Sequence, residues 1–404
     1  MIIAVDGRPL MTRQIGGAEQ HARSIITQWA AMNVPHQFLV LCDRSHRDPQ
    51  RFDQSFVDAL PAQFQQIFIR SFGLFPRWQF GSRLLTSLSW TLARSKANVF
   101  HSFTPRVPQI PTCPVVQTVH DLACELDPDV RQKPDSRRLR RLLRTGTRQA
   151  SHIIAVSSQT KNDIEALYGI PSEHIYVVYN GINPAFTPAP NPTVRATLQQ
   201  RFHFTGPYIL AVGSDIPRRN YARMLEAMTI FWQAEPDVQL MVAGRCQWPA
   251  SPLFRRAKAA GVAERIVWVD GPSDTELAQL YRGALLTCCA SSFEGFGLSV
   301  LESMACGTPV TCSDMRSLRE VAADAAVYFP HDDPPAMAES LLGLIEDIEY
   351  RRQLKYRGLG RAGLFTWRTA AEMILAVLTA VAAHATPAPQ ADPGAGGARE
   401  GSRV

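Results

Sequence analysis

At 404 residues, with 46% apolar and 19% charged side chains, the chain is long enough for two globular domains and too apolar to be disordered. Its 42 basic residues exceed its 36 acidic ones, and the resulting +6 charge suits phosphates, an acidic membrane surface or nucleic acid. The eight cysteines (Cys42, Cys113, Cys124, Cys246, Cys288, Cys289, Cys306, Cys312) form no C-x-x-C pair, which leaves out the common zinc spacings and reads as buried, reduced thiols of a cytosolic protein.

Ile2–Val5 is an apolar run closed by Asp6-Gly7, the pattern of a buried parallel strand and not of a signal peptide. The loop that follows ends in Gly16-Gly17, and Ala18–Trp29 then carries helical spacing at Ala22, Ile25, Ile26 and Trp29. Strand, glycine pair and helix N-terminus together form a cradle for an anion or substrate. A turn needing positive φ accounts for the two glycines equally well. Strand patterns recur at Gln37–Leu41, Gln65–Ile69, Val99–Phe103, Val115–Val119, Ile153–Val156 and Ile175–Val178, several of them separated by helical patterns. This alternation predicts an α/β domain with a mainly parallel sheet, in which ligands sit beyond the carboxyl ends of strands. His101 and His120 both fall at such ends; a lone histidine is usually structural, and His120 is the stronger candidate because Asp121 follows it.

Arg131–Arg148 is the most basic stretch, with seven arginines and Lys133 against Asp135 alone. Leu139, Leu142 and Leu143 make it amphipathic. Its basic face either meets anionic lipid headgroups, at about 1 kcal/mol per basic side chain, or simply faces solvent. With no aromatic residues interleaved, nucleic acid is disfavoured. Proline-rich Phe186–Pro192 predicts a linker near residues 184–195. A second strand series follows at Tyr208–Val212, Val238–Val242, Ile266–Val269, Leu285–Cys289, Pro309–Cys312 and Ala326–Phe329. Helical patterns accompany it at Tyr221–Trp232, Leu253–Ala260, Asp274–Tyr281, Leu298–Ala305 and Ala336–Ile348. The chain therefore divides into an α/β domain over 1–185, a second over 195–365, and a Pro-, Gly- and Ala-rich tail over 385–404 that is expected to be disordered. The apolar run Met373–Ala383 is too short to span a bilayer.

Two stretches of the second domain carry chemistry. After Tyr208–Val212 and Gly213, the pair Arg218-Arg219 stands where a helix opens, an arrangement suited to a diphosphate. In Ser291–Val310, Glu294, Gly295, Phe296 and Gly297 lead into a helix from Leu298, whose free amides suit phosphate oxygens. Glu302, separated from the first glutamate by seven intervening residues, lies on an apolar run (Leu298, Val300, Leu301, Met304, Ala305) that should face a core. A carboxylate buried there unpaired costs several kcal/mol, so it sits at a rim or holds something specific, such as a ribose diol. A Walker loop and a G-x-G-x-x-G after the first strand are both missing, which argues against an NTPase or a dehydrogenase.

The stretch SSFEGFGLSVLESMACGTPVTCSDMRSLREVAADAAVYF resembles the signature of the family-four glycosyltransferases, retaining enzymes of the GT-B fold. DGRPL with Gly16-Gly17, VHDL, VSSQTKNDI, VVYNGINPAF, VGSDIPRRN and Phe365-Thr366-Trp367 extend the resemblance over residues 1–380 or so. Two departures are Ser214, where many members carry Arg, and Arg219, where many carry Lys; the two cations differ in geometry although both pair with phosphate. The resemblance implies two Rossmann-like α/β domains with mainly parallel sheets facing a central cleft, and a last helix, 366–384, packing back onto the first domain. It implies that Glu302 binds the nucleotide ribose and Glu294 the hydroxyls of the transferred sugar. Gly213 and the backbone at Gly295, Phe296, Gly297 and Leu298 would hold sugar and diphosphate, and Arg218 and Arg219 would neutralise the leaving group. His120 would approach the sugar, and Gly16-Gly17 would line donor phosphates or acceptor. Neither a cofactor nor a metal is required, and no double-displacement nucleophile is assigned. The implied activity is retaining transfer of a hexose from a nucleotide-diphosphate sugar to a glycan or lipid-linked acceptor of surface polysaccharide. GDP-mannose is favoured and a UDP-sugar next, and the expected place is the cytoplasm or the inner membrane face. The competing class is a non-catalytic GT-B protein that binds nucleotide sugar or glycan and partners another transferase; the complete set of Glu294, Glu302, His120, Arg218 and Arg219 argues against it.

Overall fold

The computed structural model describes residues 1–13, 16–43, 52–69, 80–108, 111–188, 194–245 and 250–384, and of 80–87 and 194–195 the backbone alone. Cys246, the centre of the linker stretch (189–193) and the tail 385–404 lie outside the described residues.

Apolar runs with little alternation form strands buried on both faces, and such strands assemble into parallel sheets covered by helices. The first sheet contains β1 (Ile2–Asp6), β2 (Gln37–Asp43), β3 (Phe64–Ile69), β4 (Val99–Ser102), β5 (Val115–Val119), β6 (His152–Ala155) and β7 (Ile175–Val177), in the order β3-β2-β1-β4-β5-β6-β7. The second contains β8 (Tyr208–Val212), β9 (Gln239–Ala243), β10 (Ile266–Val269), β11 (Leu286–Cys289), β12 (Val310–Ser313) and β13 (Ala326–Phe329), in the order β10-β9-β8-β11-β12-β13. Every pairing is parallel. Both sheets are therefore Rossmann-like, and each reverses its winding between its first strand and the fourth, opening a crevice there. The segments after β1, β4 and β5 on one side, and after β8 and β11 on the other, supply the candidate site residues.

The chain crosses between the sheets twice, and the crossings lie side by side. Ile182 bridges Thr366, and its N–H donates to the Phe365 carbonyl at 3.1 Å. A Cβ on Gly181 would stand 2.0 Å from the Trp367 nitrogen, so only glycine allows the two segments to touch. The helix Trp367–His384 then returns to the first sheet, where Ala371, Ile374 and Leu378 are fully buried in the same core as Ile25, Ile26 and Trp29 of the helix Gly17–Ala31. The Trp29 indole N–H donates to the Ala371 carbonyl at 2.9 Å. At about 1.5–3 kcal/mol per buried apolar side chain, this seam ties the C-terminal helix to the first sheet.

The basic stretch is not one helix. Asp127 caps a short turn, Pro128–Arg131, and a separate helix runs from Pro134 to Gln149. Pro134 has the φ of a first helical residue but cannot continue the hydrogen bonds of the turn before it. Arg144 is bound in a two-pronged pair to the buried Glu125, at 2.8 and 3.1 Å. Arg131, Lys133, Arg137, Arg138, Arg141 and Arg148 remain exposed, as does Leu139, whereas Leu143 is core. Among the described residues, no helix is long and apolar enough to cross a membrane.

Candidate active site

β8 ends at Gly213, in a positive-φ conformation (φ 138°), where a Cβ would stand 2.5 Å from Arg219 Nε. Only glycine lets the backbone turn beneath that guanidinium. A 3₁₀ turn, Pro217–Arg219, closes on Asn220 at φ 57°, and the Asn220 amide donates to the carbonyls of Ala290 (3.1 Å) and His331 (2.7 Å). The Ser292 N–H donates to the Arg218 carbonyl at 2.9 Å. These bonds fasten the arginine turn to the loop after β11, and the side chains converge as a result. Arg219 is ion-paired with Glu294. Arg218 Nη1 lies 3.7 Å from the other Glu294 oxygen and 3.6 Å from Asp121 of the first domain. The Ser291 hydroxyl donates to the Glu294 carboxylate at 2.8 Å, and the Ser317 hydroxyl to its carbonyl at 2.7 Å. Two guanidiniums and two carboxylates thus balance across the cleft, with Glu294 shared between both cations.

Gly297, at φ 110°, starts the helix Leu298–Ala305, and a Cβ there would press on Leu318 at 2.5 Å. The first amides of that helix have no intrahelical acceptor. Glu302 stands one turn inside and is buried, not at a rim. Its carboxylate accepts a hydrogen bond from the Tyr281 hydroxyl at 3.0 Å and, among the described residues, forms no ion pair. Burial pushes its pKa up to about 8, and Asp274 adds to the rise, while the Tyr281 bond and Arg219 oppose it.

His120, at the end of β5, lies 3.2 Å through Nε2 from the Phe103 carbonyl. A carbonyl only accepts, so Nε2 carries the proton and Nδ1 presents a lone pair. Burial lowers its pKa, which keeps the ring neutral near pH 7. His101 is different: fully buried, bonded to the Thr118 hydroxyl at 2.9 Å and packed on Phe103, with burial holding its pKa at about 3. It is a core residue.

Gly16 and Gly17 do not occupy a positive-φ turn; Gly16 is extended (φ −104°) and its N–H donates to Glu19 Oε2 at 3.0 Å. A Cβ on Gly17 would stand 3.8 Å from Leu298 Cδ1, so this loop faces the helix that carries Glu302. Phe296 contributes no side chain to the cleft, since its ring is buried between Tyr179 and Phe365 at 6.2 and 5.9 Å. Gly295 lies against the other domain, where a Cβ would meet the His120 carbonyl oxygen at 1.9 Å. Residues that sequence reasoning did not assign are Tyr281, Ser291, Ser317 and His21. The His21 ring stands 4.9 Å from that of His120 and bonds Asn180 at 2.8 Å. Ser291 and Ser317 lie inside the quoted signature stretch, where no role was given them, and no spacing or motif marks Tyr281 or His21; the Asp121 partner of Arg218 was marked by its place beside His120.

Residues 15–186 match the profile of Glycosyltransferase Family 4, and residues 197–361 that of Glycosyl transferases group 1. The chain is 27% identical over 253 residues to O-antigen chain mannosyltransferase B of Escherichia coli, covering 62% of this chain and 66% of that one. It is 31% identical over 242 residues to D-inositol 3-phosphate glycosyltransferase of Thermobispora bispora, covering 57% and 56%. The chain thus spans roughly half to two thirds of the length of such relatives. Its fold matches sucrose-phosphate synthase of Thermosynechococcus elongatus with a TM-score of 0.76 at 20% identity, over 95% of this chain and all of that one. Two all-parallel Rossmann-like sheets, the converging glutamate and arginine cluster and both profile matches agree: the chain belongs to the family-four glycosyltransferases, of GT-B fold.

Proposed function

We propose that the protein is a retaining glycosyltransferase that moves a hexose from a nucleotide-diphosphate sugar to a glycan or lipid-linked acceptor of surface polysaccharide. The observation that carries this reading is the convergence of Arg218, Arg219 and Glu294 beside the helix that buries Glu302. Glu302 would accept the ribose hydroxyls; the amides at Gly297 and Leu298, with the turn at Gly213, would meet the diphosphate; and Arg218 and Arg219 would take up the charge that develops on it as the glycosidic bond breaks. Glu294 is engaged by two guanidiniums and a serine, which suits a hydrogen-bond partner of the sugar better than a covalent nucleophile. This favours front-face transfer with retention. His120, neutral and with Nδ1 free to accept, would hold a sugar hydroxyl from the first domain, and Gly16-Gly17 would border donor or acceptor. No cofactor is assigned a role. With the domains closed, the cleft excludes water that would hydrolyse the donor.

A GDP-mannose donor is favoured, because the similar Escherichia coli protein is named a mannosyltransferase. A UDP-sugar stands next, since an Anabaena protein of the same fold (TM-score 0.72) was solved in complex with UDP-glucose. The exposed basic residues from Arg131 to Arg148, six of them besides the paired Arg144, supply with exposed Leu139 a face for anionic lipid, which fits a lipid-linked acceptor at the inner membrane surface. The test is release of nucleoside diphosphate from GDP-mannose and from UDP-glucose, with and without a lipid-linked glycan acceptor. Acceptor-dependent release is expected. Tight nucleotide binding without any release would favour the non-catalytic binding protein instead.

A further inference from the structure

We propose that Ser157 and Glu320 form a clasp between the two domains that positions the donor loop Glu294–Phe296 against His120; this rests on the glycosyl-transfer reading above. Ser157 caps the first-domain helix Ser158–Tyr168, its hydroxyl oxygen accepting from the Thr160 N–H at 3.0 Å. It is fully buried, and the same hydroxyl reaches across to the Gly295 carbonyl at 2.7 Å, with the Thr160 hydroxyl 3.3 Å from that oxygen. On its other side Gly295 touches the His120 backbone so closely that no side chain fits. The peptide after Glu294 is therefore held between the ends of β5 and β6, while the Glu294 carboxylate stays in the arginine cluster.

Glu320 closes the same junction from the second domain. It lies on the helix Arg316–Ala322, and its carboxylate accepts from the Ser158 N–H at 2.7 Å, the Gln159 N–H at 3.3 Å and the Tyr179 hydroxyl at 2.6 Å. A second-domain anion thus satisfies amides at the N-terminus of a first-domain helix that have no acceptor within their own helix. If the domains part, the helix loses this anion and the Gly295 carbonyl loses its hydroxyl donors. The clasp is complete only when Gly295, the residue after Glu294, lies against the His120 backbone.

Three quantities read the clasp: kcat, the nucleotide dissociation constant, and the radius of gyration from small-angle scattering with and without GDP or UDP. Ser157→Ala and Glu320→Ala should each lower kcat about tenfold or more with the nucleotide dissociation constant within about twofold, because the nucleotide site lies on the second domain. Both should scatter as a more open molecule, and Ser157→Thr, which keeps a hydroxyl, should restore compaction and turnover. Tyr179→Phe, at a partly exposed position, should show the same pattern more weakly and serves if Glu320→Ala fails to fold. Wild-type kcat and compaction in Ser157→Ala, a loss carried by nucleotide affinity, or no rescue by Ser157→Thr would overturn the clasp. If the unmodified protein neither binds nucleotide nor transfers sugar, the glycosyl-transfer reading fails. Scattering of the ligand-free variants still decides the clasp: opening supports it, and an unchanged radius overturns it.

Discussion

Replacing Glu302 with glutamine should weaken binding of the nucleoside diphosphate by about two orders of magnitude while leaving the folded protein intact. The carboxylate is buried and, among the described residues, has one hydroxyl partner, Tyr281, and no ion pair, so its remaining acceptor sites are open to a ligand. Two hydrogen bonds from a ribose diol to an ionised carboxylate contribute about 1.5–3 kcal/mol each. Losing about 3 kcal/mol in total corresponds to roughly a hundredfold rise in dissociation constant. The same substitution should change two pH profiles. Burial raises the Glu302 pKa from its ordinary 4.5 to about 8, so the folded protein holds a proton that the unfolded chain gives up. Stability of the ligand-free protein should then be highest below about pH 4.5 and fall through the window up to about pH 8, as far as this group is concerned. Nucleotide affinity should rise over the upper part of that window, because the diol is best accepted by the ionised form. Calorimetric binding at pH 6, 7 and 8 checks this; Glu302→Gln should abolish the rise, and an equal rise in the variant would show that another group titrates.

Glu294→Gln should behave in the opposite way: kcat should fall by about a hundredfold or more, with nucleoside diphosphate affinity unchanged or tighter. Glu294 takes up both Arg218 and Arg219, so removing its charge leaves two guanidiniums facing the cleft with, among the described residues, one remaining ion pair, that of Arg218 with Asp121. A diphosphate gains from that surplus, whereas a sugar hydroxyl loses its carboxylate acceptor. Glutamine keeps an acceptor for Arg219 and Ser291, which avoids stranding a largely buried cation; with alanine, that loss would cost several kcal/mol of stability. Measuring kcat and the nucleotide dissociation constant separately on both variants is decisive. An equal loss of affinity in Glu302→Gln and Glu294→Gln would end the division of labour between the two glutamates.

The sheets were legible because parallel strands buried on both faces are short apolar runs. All thirteen stand within two residues of the spans read from sequence, from Ile2–Asp6 to Ala326–Phe329. Helices with weak periodicity were not: Ile348–Ala362 buries only Leu354, Gly358 and Ala362 and displays charge around most of its girth. The basic stretch was read as one element because charge does not report the break that Pro134 imposes. In the site, the glycines carried different signals. Gly213 and Gly297 hold positive φ, whereas Gly16 is extended and Gly295 is glycine because another domain touches it. A contact of that last kind has no local signature; Ser157 and Ser291 lie inside the quoted family stretches, but nothing local shows what their hydroxyls, or that of Tyr281, hold. Two glutamates with seven residues between them marked the loop and helix on which the cluster stands. That Glu294 would be shared by both arginines depends on the turn at Asn220, which sequence alone does not place.

The most direct measurement is the thermal stability of the unmodified protein with GDP, UDP and ADP, each titrated to saturation. A nucleotide held by Glu302, the helix amides and the two arginines, at about 100 times its dissociation constant, should stabilise the protein by roughly 2.7 kcal/mol, a rise of several degrees in Tm. At least one nucleoside diphosphate should give that rise, and Glu302→Gln should remove it. A flat Tm across all three nucleotides would contradict the assignment of this cleft to a nucleotide-sugar donor.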